Sequence, residues 1–219
     1  MVTDFDTLAQ GVKNGDHELV PTLVKEALAD KTPAADILEK GLVAGLRALG
    51  ELFKDGEVFL PEILIAVRAM RQGLEVLNPY LTDADMPKKG TVVLGTVEGD
   101  LHDIGKNLVG MLLAGNGYNV IDVGIDVSAD VFLNSAKEHD ADLVAMSGLL
   151  TTTAPYFRTV IQALKEAGLK DKVMVMVGGA PVTREYADEV GAEGFAEDCV
   201  KAVDEADRLM ALKFKGGSI

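Results

Sequence analysis

One histidine stands between two aspartates in the stretch Gly99-Asp100-Leu101-His102-Asp103-Ile104-Gly105, and the chain has only three histidines in all. Asp100 and His102 are two residues apart. At that spacing a carboxylate can accept the proton on one ring nitrogen, which fixes the tautomer and raises the basicity of the other nitrogen. The other nitrogen then suits a metal. One protein ligand is too few for zinc, which takes three or four. A single imidazole is sufficient where a macrocycle already holds the metal equatorially and lacks only an axial partner.

Such a loop needs a strand before it and a helix after it. From Gly90 the chain alternates between these elements. "TVVLGTV", "YNVIDVG", "ADLVAMSG", "KVMVMVGG" and "AEGFA" read as strands. "IGKNLVGMLLAGNG", "SADVFLNSAKEHD", "TAPYFRTVIQALKEAG", "TREYADEVG" and "DCVKAVDEADRLMALKF" read as the helices between and after them. Five strands alternating with five helices predict a flavodoxin-like (Rossmann-like), doubly wound, five-stranded parallel sheet covered on both faces. Ligands of such sheets bind at the carboxyl ends of the strands. Three stretches fall there: "EGDLHDIG", "SGLLTTT" and "GGAPVT". Each is rich in small or hydroxyl residues, so backbone can approach a ligand closely.

Two other ligands of this architecture are excluded. Glu98, Asp100 and Asp103 repel phosphate, and the loop lacks the lysine and glycine spacing of a phosphate-binding loop. A phosphorelay receiver would carry an aspartate after the third strand, where Ser147 stands.

Upstream of residue 81 every segment carries the period of a helix. Asp4–Asn14, Asp16–Ala29, Thr32–Phe53 and Pro61–Leu81 predict a small four-helix bundle, with Ile63, Leu64, Val67, Met70, Leu74 and Leu77 as one apolar stripe. Asp16 suits the cap of the second helix, and Pro33 and Pro61 suit first turns. "TDADMPKKG" is polar and contains proline and glycine, as a linker would. The expected division is therefore a helical-bundle cap domain over residues 1–81, a linker over 82–90 and a sheet domain over 91–219.

A net charge of −14 with no basic block argues against nucleic acid as a partner. No apolar run approaches a membrane span, and the N-terminus lacks the features of a signal peptide. The lone Cys199 excludes an internal disulfide and fits a reducing cytoplasm, the expected location.

Asp100-Leu101-His102-Asp103-Ile104-Gly105, Ser147-Gly148-Leu149 and Gly178-Gly179 resemble the D-x-H-x-x-G … S-x-L … G-G signature of corrinoid (cobalamin)-binding domains. The parts come in the family's order and close to its spacing. "LGELFKDGEVFLPEIL" resembles the helical cap module that precedes that domain in cobalamin-dependent methionine synthase and in the methyl-carrying corrinoid proteins of three-component methyltransferase systems. Nearly the whole chain is covered.

The resemblance implies a cobalamin or related corrinoid cofactor. His102 would replace the cofactor's own base as the lower axial ligand of cobalt, Asp100 would hydrogen-bond it, and Ser147 would extend the relay. Ser147, Leu149, Thr151, Gly178 and Gly179 would line a slot for the displaced nucleotide tail, with the segment around Cys199 closing its far side. The family often has alanine where Cys199 stands. Gly99 and Gly105 would keep the backbone close to the ring, Asp103 would start the helix or line the corrin edge, and Leu101 and Ile104 would join them in binding the cofactor. In the cap, Phe53 and Leu60 match the pair that covers the methyl-bearing face, and Glu39 matches a carboxylate near the corrin. The implied function is carriage of a methyl group on cobalt, through a cob(I)/methyl-cob(III) cycle, between a substrate-specific methyltransferase and a second, methyl-acceptor methyltransferase. A reductive activase would be a third partner. The chain would then be a subunit of an enzyme system and not a complete enzyme. The alternatives are a cobalamin-binding mutase subunit, against which the helical cap argues, and a cobalamin-based sensor. The chain has no tryptophan for a sensor's cap motif and no basic segment for DNA.

Overall fold

A computed structural model describes residues 4–81 and 89–216, apart from the side chains of Lys54, Leu60 and residues 214–216. It comprises two compact units, Met1–Pro87 and Lys88–Ile219. Residues 82–88 of the expected linker lie outside the described residues.

The first unit is helical. Helix α1 (Phe5–Lys13) starts on Asp4, whose carboxylate accepts the Thr7 N–H at 3.0 Å. Asp16 plays the same part before α2 (Leu19–Ala29), accepting the Leu19 N–H at 2.9 Å. The third helix runs without a break through α3 (Ala34–Asp36), a π-helical segment (Ile37–Val43) and α4 (Ala44–Lys54). The apolar period predicts a plain α-helix here. A π turn adds only about one residue per turn, too little to disturb that period, so the sequence pattern does not register it. Gly41 and Gly45 let α1 approach closely: a Cβ at Gly45 would sit 2.4 Å from the Ala9 carbonyl oxygen. Helix α5 (Leu60–Leu77) carries Pro61 in its first turn, and Glu62 accepts the Phe59 N–H at 2.5 Å. Ile63, Val67, Met70 and Leu77 of the expected stripe are buried, with Leu8, Val12, Val24, Ile37 and Leu42 opposite them. Leu64 is exposed, because it falls one position off that face.

The second unit is the expected α/β fold. Its strands are β1 (Thr91–Val97), β2 (Asn119–Val127), β3 (Leu143–Ser147), β4 (Met174–Gly178) and β5 (Gly194–Ala196), all parallel, in the order β2-β1-β3-β4-β5. Helices α6 (Ile104–Gly115) and α10 (Cys199–Gly216) cover one face, packing Leu113 and Leu209 against Val92, Leu94 and Ala145. Helices α7 (Ala129–Glu138), α8 (Tyr156–Glu166) and α9 (Arg184–Val190) cover the other, packing Phe132, Phe157 and Val190 against Val93, Val144 and Val175. Neighbouring strand residues thus feed opposite cores, which explains the near-continuous apolar runs in the sequence. The strand order reverses direction between β1 and β3. The loops leaving their carboxyl ends border the switch-point crevice. Among the described residues no helix is long and apolar enough to cross a membrane.

Candidate functional site

The loop from β1 to α6 turns at Gly99, whose φ is +81°, and then sends Asp100 inward and His102 outward. Asp100 is fully buried. Its Oδ1 accepts the His102 backbone N–H at 3.0 Å and lies 2.7 Å from His102 Nδ1. A carboxylate only accepts hydrogen bonds, so the ring proton sits on Nδ1 and the lone pair on Nε2. Oδ2 accepts the Leu149 N–H at 2.7 Å, the Leu150 N–H at 3.2 Å and the Thr153 hydroxyl at 3.0 Å. Burial works to raise the pKa of this carboxyl. The bonds from His102, Leu149 and Thr153 outweigh it and hold Asp100 well below the usual carboxylate range. Asp100 is therefore a fixed anion, in contact with β1's own loop and with the loop after β3.

Further contacts set the loop's path. The buried Thr96 hydroxyl donates to the His102 carbonyl at 2.8 Å. Asp103 occupies the N-cap position of α6, and its carbonyl and carboxylate accept from Asn107 at 2.7 and 3.1 Å. Lys106, almost wholly buried, donates to Asn107 at 2.8 Å and to Asp122 of β2 at 2.5 Å.

Ser147 ends β3 opposite Thr96 and Gly178 and is not among the partners of Asp100. The hydroxyl beside that carboxylate belongs to Thr153. The sequence signal for it is the run of three threonines after Leu150; Thr151, the one expected at the site, is exposed in the same loop. Gly178 and Gly179 do not stand beside empty space. A Cβ at Gly179 would come within 1.9 Å of the Gly148 carbonyl oxygen, and one at Gly178 within 2.8 Å of the Ala196 carbonyl oxygen. These glycines let the backbones after β3 and β4 touch, where Gly148 N–H donates to the Gly178 carbonyl at 3.1 Å.

The His102 side chain is 52 % exposed, and its Nε2 has no protein partner among the described residues. Leu101 and Ile104 beside it are 67 % and 71 % exposed, and Leu149 and Leu150 are partly so. A Cβ at Gly105 would meet nothing within 4 Å. A lone outward donor nitrogen among exposed apolar side chains fits a flat, largely apolar ring whose metal takes one ligand from below. Among the described residues no group of three or more His, Cys, Asp or Glu is arranged to hold a metal ion by itself.

Comparison with known proteins decides the family. Residues 90–209 match the B12 binding domain, and residues 4–78 match a second B12 binding domain. The chain is 43 % identical to dimethylamine corrinoid protein 1 of Methanosarcina acetivorans, over 93 % of this chain and 96 % of that one. It belongs to the B12-binding corrinoid proteins. Its cofactor is cobalamin or a related corrinoid. A corrinoid protein of Desulfitobacterium hafniense is 41 % identical over 94 % of this chain and 97 % of its own length. The methanol:cobalamin methyltransferase complex of Methanosarcina barkeri superposes with a TM-score of 0.83 at 30 % identity, over 95 % of this chain and 82 % of that one.

The remaining candidate residues of this corrinoid protein lie elsewhere. Glu39 is exposed in the π-helical segment, Phe53 is half-buried near the end of α4, and Leu60 opens α5 with its side chain outside the described residues. Cys199 begins α10 and is buried. Burial, then the charge of Asp198, pushes its thiol up to about 11. At pH 8 roughly one thiol in a thousand is ionised. The folded chain should therefore react only slowly with an aromatic disulfide reagent, and completely once unfolded in guanidinium. Rapid one-to-one labelling of the folded chain would contradict this.

Proposed function

We propose that this corrinoid protein carries a methyl group from a substrate-specific methyltransferase to a second methyltransferase, with His102 as the lower axial ligand of the cofactor. The observation that carries this reading is the Asp100–His102 pair, with Nδ1 held by a buried carboxylate and Nε2 open. When bound, the corrinoid supplies a cobalt centre that accepts and releases methyl. The chain's own residues supply ligation and its control. His102 presents its lone pair, Asp100 fixes the tautomer and stabilises positive charge on the ring, and Thr153 holds Asp100 in place. Ser147, Gly178, Gly179 and Cys199 keep their places near the tail of the cofactor, and Glu39, Phe53 and Leu60 keep the roles that the resemblance gives them.

The relatives of this length include dimethylamine and trimethylamine corrinoid proteins at 42–44 % identity, above the 30 % of the methanol system. An N-methylated amine is accordingly the donor class to test first. A reductive activase as further partner, a cytoplasmic location, and a division into a cap domain over 1–81 and a cofactor domain over 91–219 belong to the same proposal.

The test is a methylation assay. Cobalamin-loaded protein is reduced, then mixed with a methylamine methyltransferase and its substrate, and the visible spectrum is followed. Methylation dependent on both enzyme and amine supports the reading. A loaded protein that no methylamine, methanol or betaine methyltransferase alkylates would overturn it.

Thr153→Val removes the hydroxyl at nearly constant volume and leaves Oδ2 with its two backbone donors. It is expected to weaken His102 ligation by about 1 kcal/mol, roughly fivefold. Ser147→Ala is expected to change ligation much less. Equal effects of the two substitutions on the ligation spectrum would remove Thr153 from its assigned place.

A further inference from the structure

Edge strand β2 pairs with β1 in unbroken register only as far as Leu94. Leu94 stands opposite Asp122, Gly95 opposite Gly124 and Val97 opposite Val127, so the pairing slips twice within a few residues. Each slip puts an extra residue into β2. Irregularities of this kind re-aim side chains and cluster beside functional sites. Here they carry the end of β2 to the loop that leaves β1. The last of the displaced residues is Asp126, with φ +53°, in the left-handed region that a residue other than glycine seldom occupies.

That conformation gives Asp126 two contacts with one short piece of chain. Its carboxylate Oδ1 accepts the Gly99 N–H at 2.7 Å, and its own N–H donates to the Asp100 carbonyl at 3.0 Å. Gly99 and Asp100 are thus gripped from outside by β2, while the Asp100 side chain is gripped from inside by Leu149, Leu150 and Thr153. The inner contacts set where the carboxylate lies. The outer pair sets where the backbone lies from which both Asp100 and His102 project. Backbone in a sparsely populated region persists only where its surroundings hold it, and such residues concentrate at functional sites.

We infer that Asp126 is a positioning residue for the axial histidine: it braces the Gly99–Asp100 segment so that His102 Nε2 meets the metal at the right height and tilt. The inference rests on the reading of His102 as the axial ligand. The bonds of Asp126 to this loop go to the backbone of Gly99 and Asp100, so it acts on His102 through the chain that carries it.

Three substitutions separate the carboxylate from the backbone conformation. Asp126→Asn keeps an oxygen acceptor and tolerates a positive φ. Asp126→Gly keeps the φ and loses the acceptor. Asp126→Ala loses both. Each variant is made with 15N-labelled histidine and loaded with cobalamin, and the fraction with histidine bound is read from 15N coupling in the cobalt(II) electron paramagnetic resonance spectrum, which separates the histidine from the cofactor's own 14N base. Asp126→Gly and Asp126→Ala should lower the histidine-on/histidine-off ratio about fivefold, while Asp126→Asn stays within about twofold of the parent. A merely structural residue would lower the unfolding midpoint and leave that ratio unchanged. A parental ratio in Asp126→Gly, or equal losses in Asp126→Gly and Asp126→Asn, would overturn the inference. Amide exchange at Gly99 in the cofactor-free chain reports on the brace separately: it should speed up in Asp126→Gly and not in Asp126→Asn, and unchanged exchange in both would also overturn it. If the parent shows no histidine 15N coupling, and His102→Ala changes nothing, it is the ligand assignment that has failed. The exchange experiment still judges the brace.

Discussion

A His102→Ala chain made with 15N-labelled histidine and loaded with cobalamin is expected to lose the histidine 15N coupling of the cobalt(II) signal in essentially every molecule and to remain folded. His139 closes α7 next to the amino end of β3, away from the strand ends that carry the loop. The fold loses little, because the imidazole is half exposed and contributes chiefly its bond to Asp100. That carboxylate keeps the His102 backbone N–H, the Leu149 and Leu150 N–H groups and the Thr153 hydroxyl. A stability change of about 1 kcal/mol is expected on this ground. Free 15N-labelled imidazole added to the loaded variant should restore 15N coupling by filling the vacated position. Persistent 15N coupling in the variant without added imidazole would show that another group ligates the metal.

Gly179→Ala is expected to have the largest effect on stability. Its Cβ would lie 1.9 Å from the Gly148 carbonyl oxygen and 2.8 Å from the Gly148 carbonyl carbon, and the residue's φ is +132°. Backbone cannot swing aside as the tip of a side chain can. The loops after β3 and β4 would have to separate, breaking the bond from Gly148 N–H to the Gly178 carbonyl. Strained conformation and steric overlap together should cost about 3 kcal/mol or more, read as a lower urea midpoint with an unchanged slope. The cofactor-free chain is the right sample, since the loss is one of folding. A midpoint within experimental scatter of the parent would mean that the two loops are not packed as described.

The fold and the heart of the site were legible for different reasons. The alternation of strands and helices is local, and apolar runs bounded by Gly117 and Gly168 announce it. The Asp100–His102 pair was legible because the two residues are neighbours, so their contact is a property of one loop. Thr153 was not. It lies 53 residues from Asp100, and Ser147, Thr151 and Thr152 offer the same hydroxyl chemistry nearby. Only the path of the loop after β3 decides among them. The contact between Gly179 and Gly148 was hidden for a similar reason: a glycine at a strand end signals close approach, but not which part of the chain approaches. Asp126 gave no signal at all, because the register slips that place it depend on the pairing of β2 with β1, which the residues of β2 alone do not announce.

One donor nitrogen, tied on its far side to a buried anion, also decides what the protein declines to bind. Bare zinc and copper ions compete strongly for imidazole in the cell, and sites that gather several donors are vulnerable to them. His102 has no second histidine, cysteine or carboxylate cluster to complete a chelate among the described residues. Monodentate capture of a hydrated ion by His102 is weak. Selectivity for cobalt comes from the ring that delivers it, and the protein needs only to leave one nitrogen open.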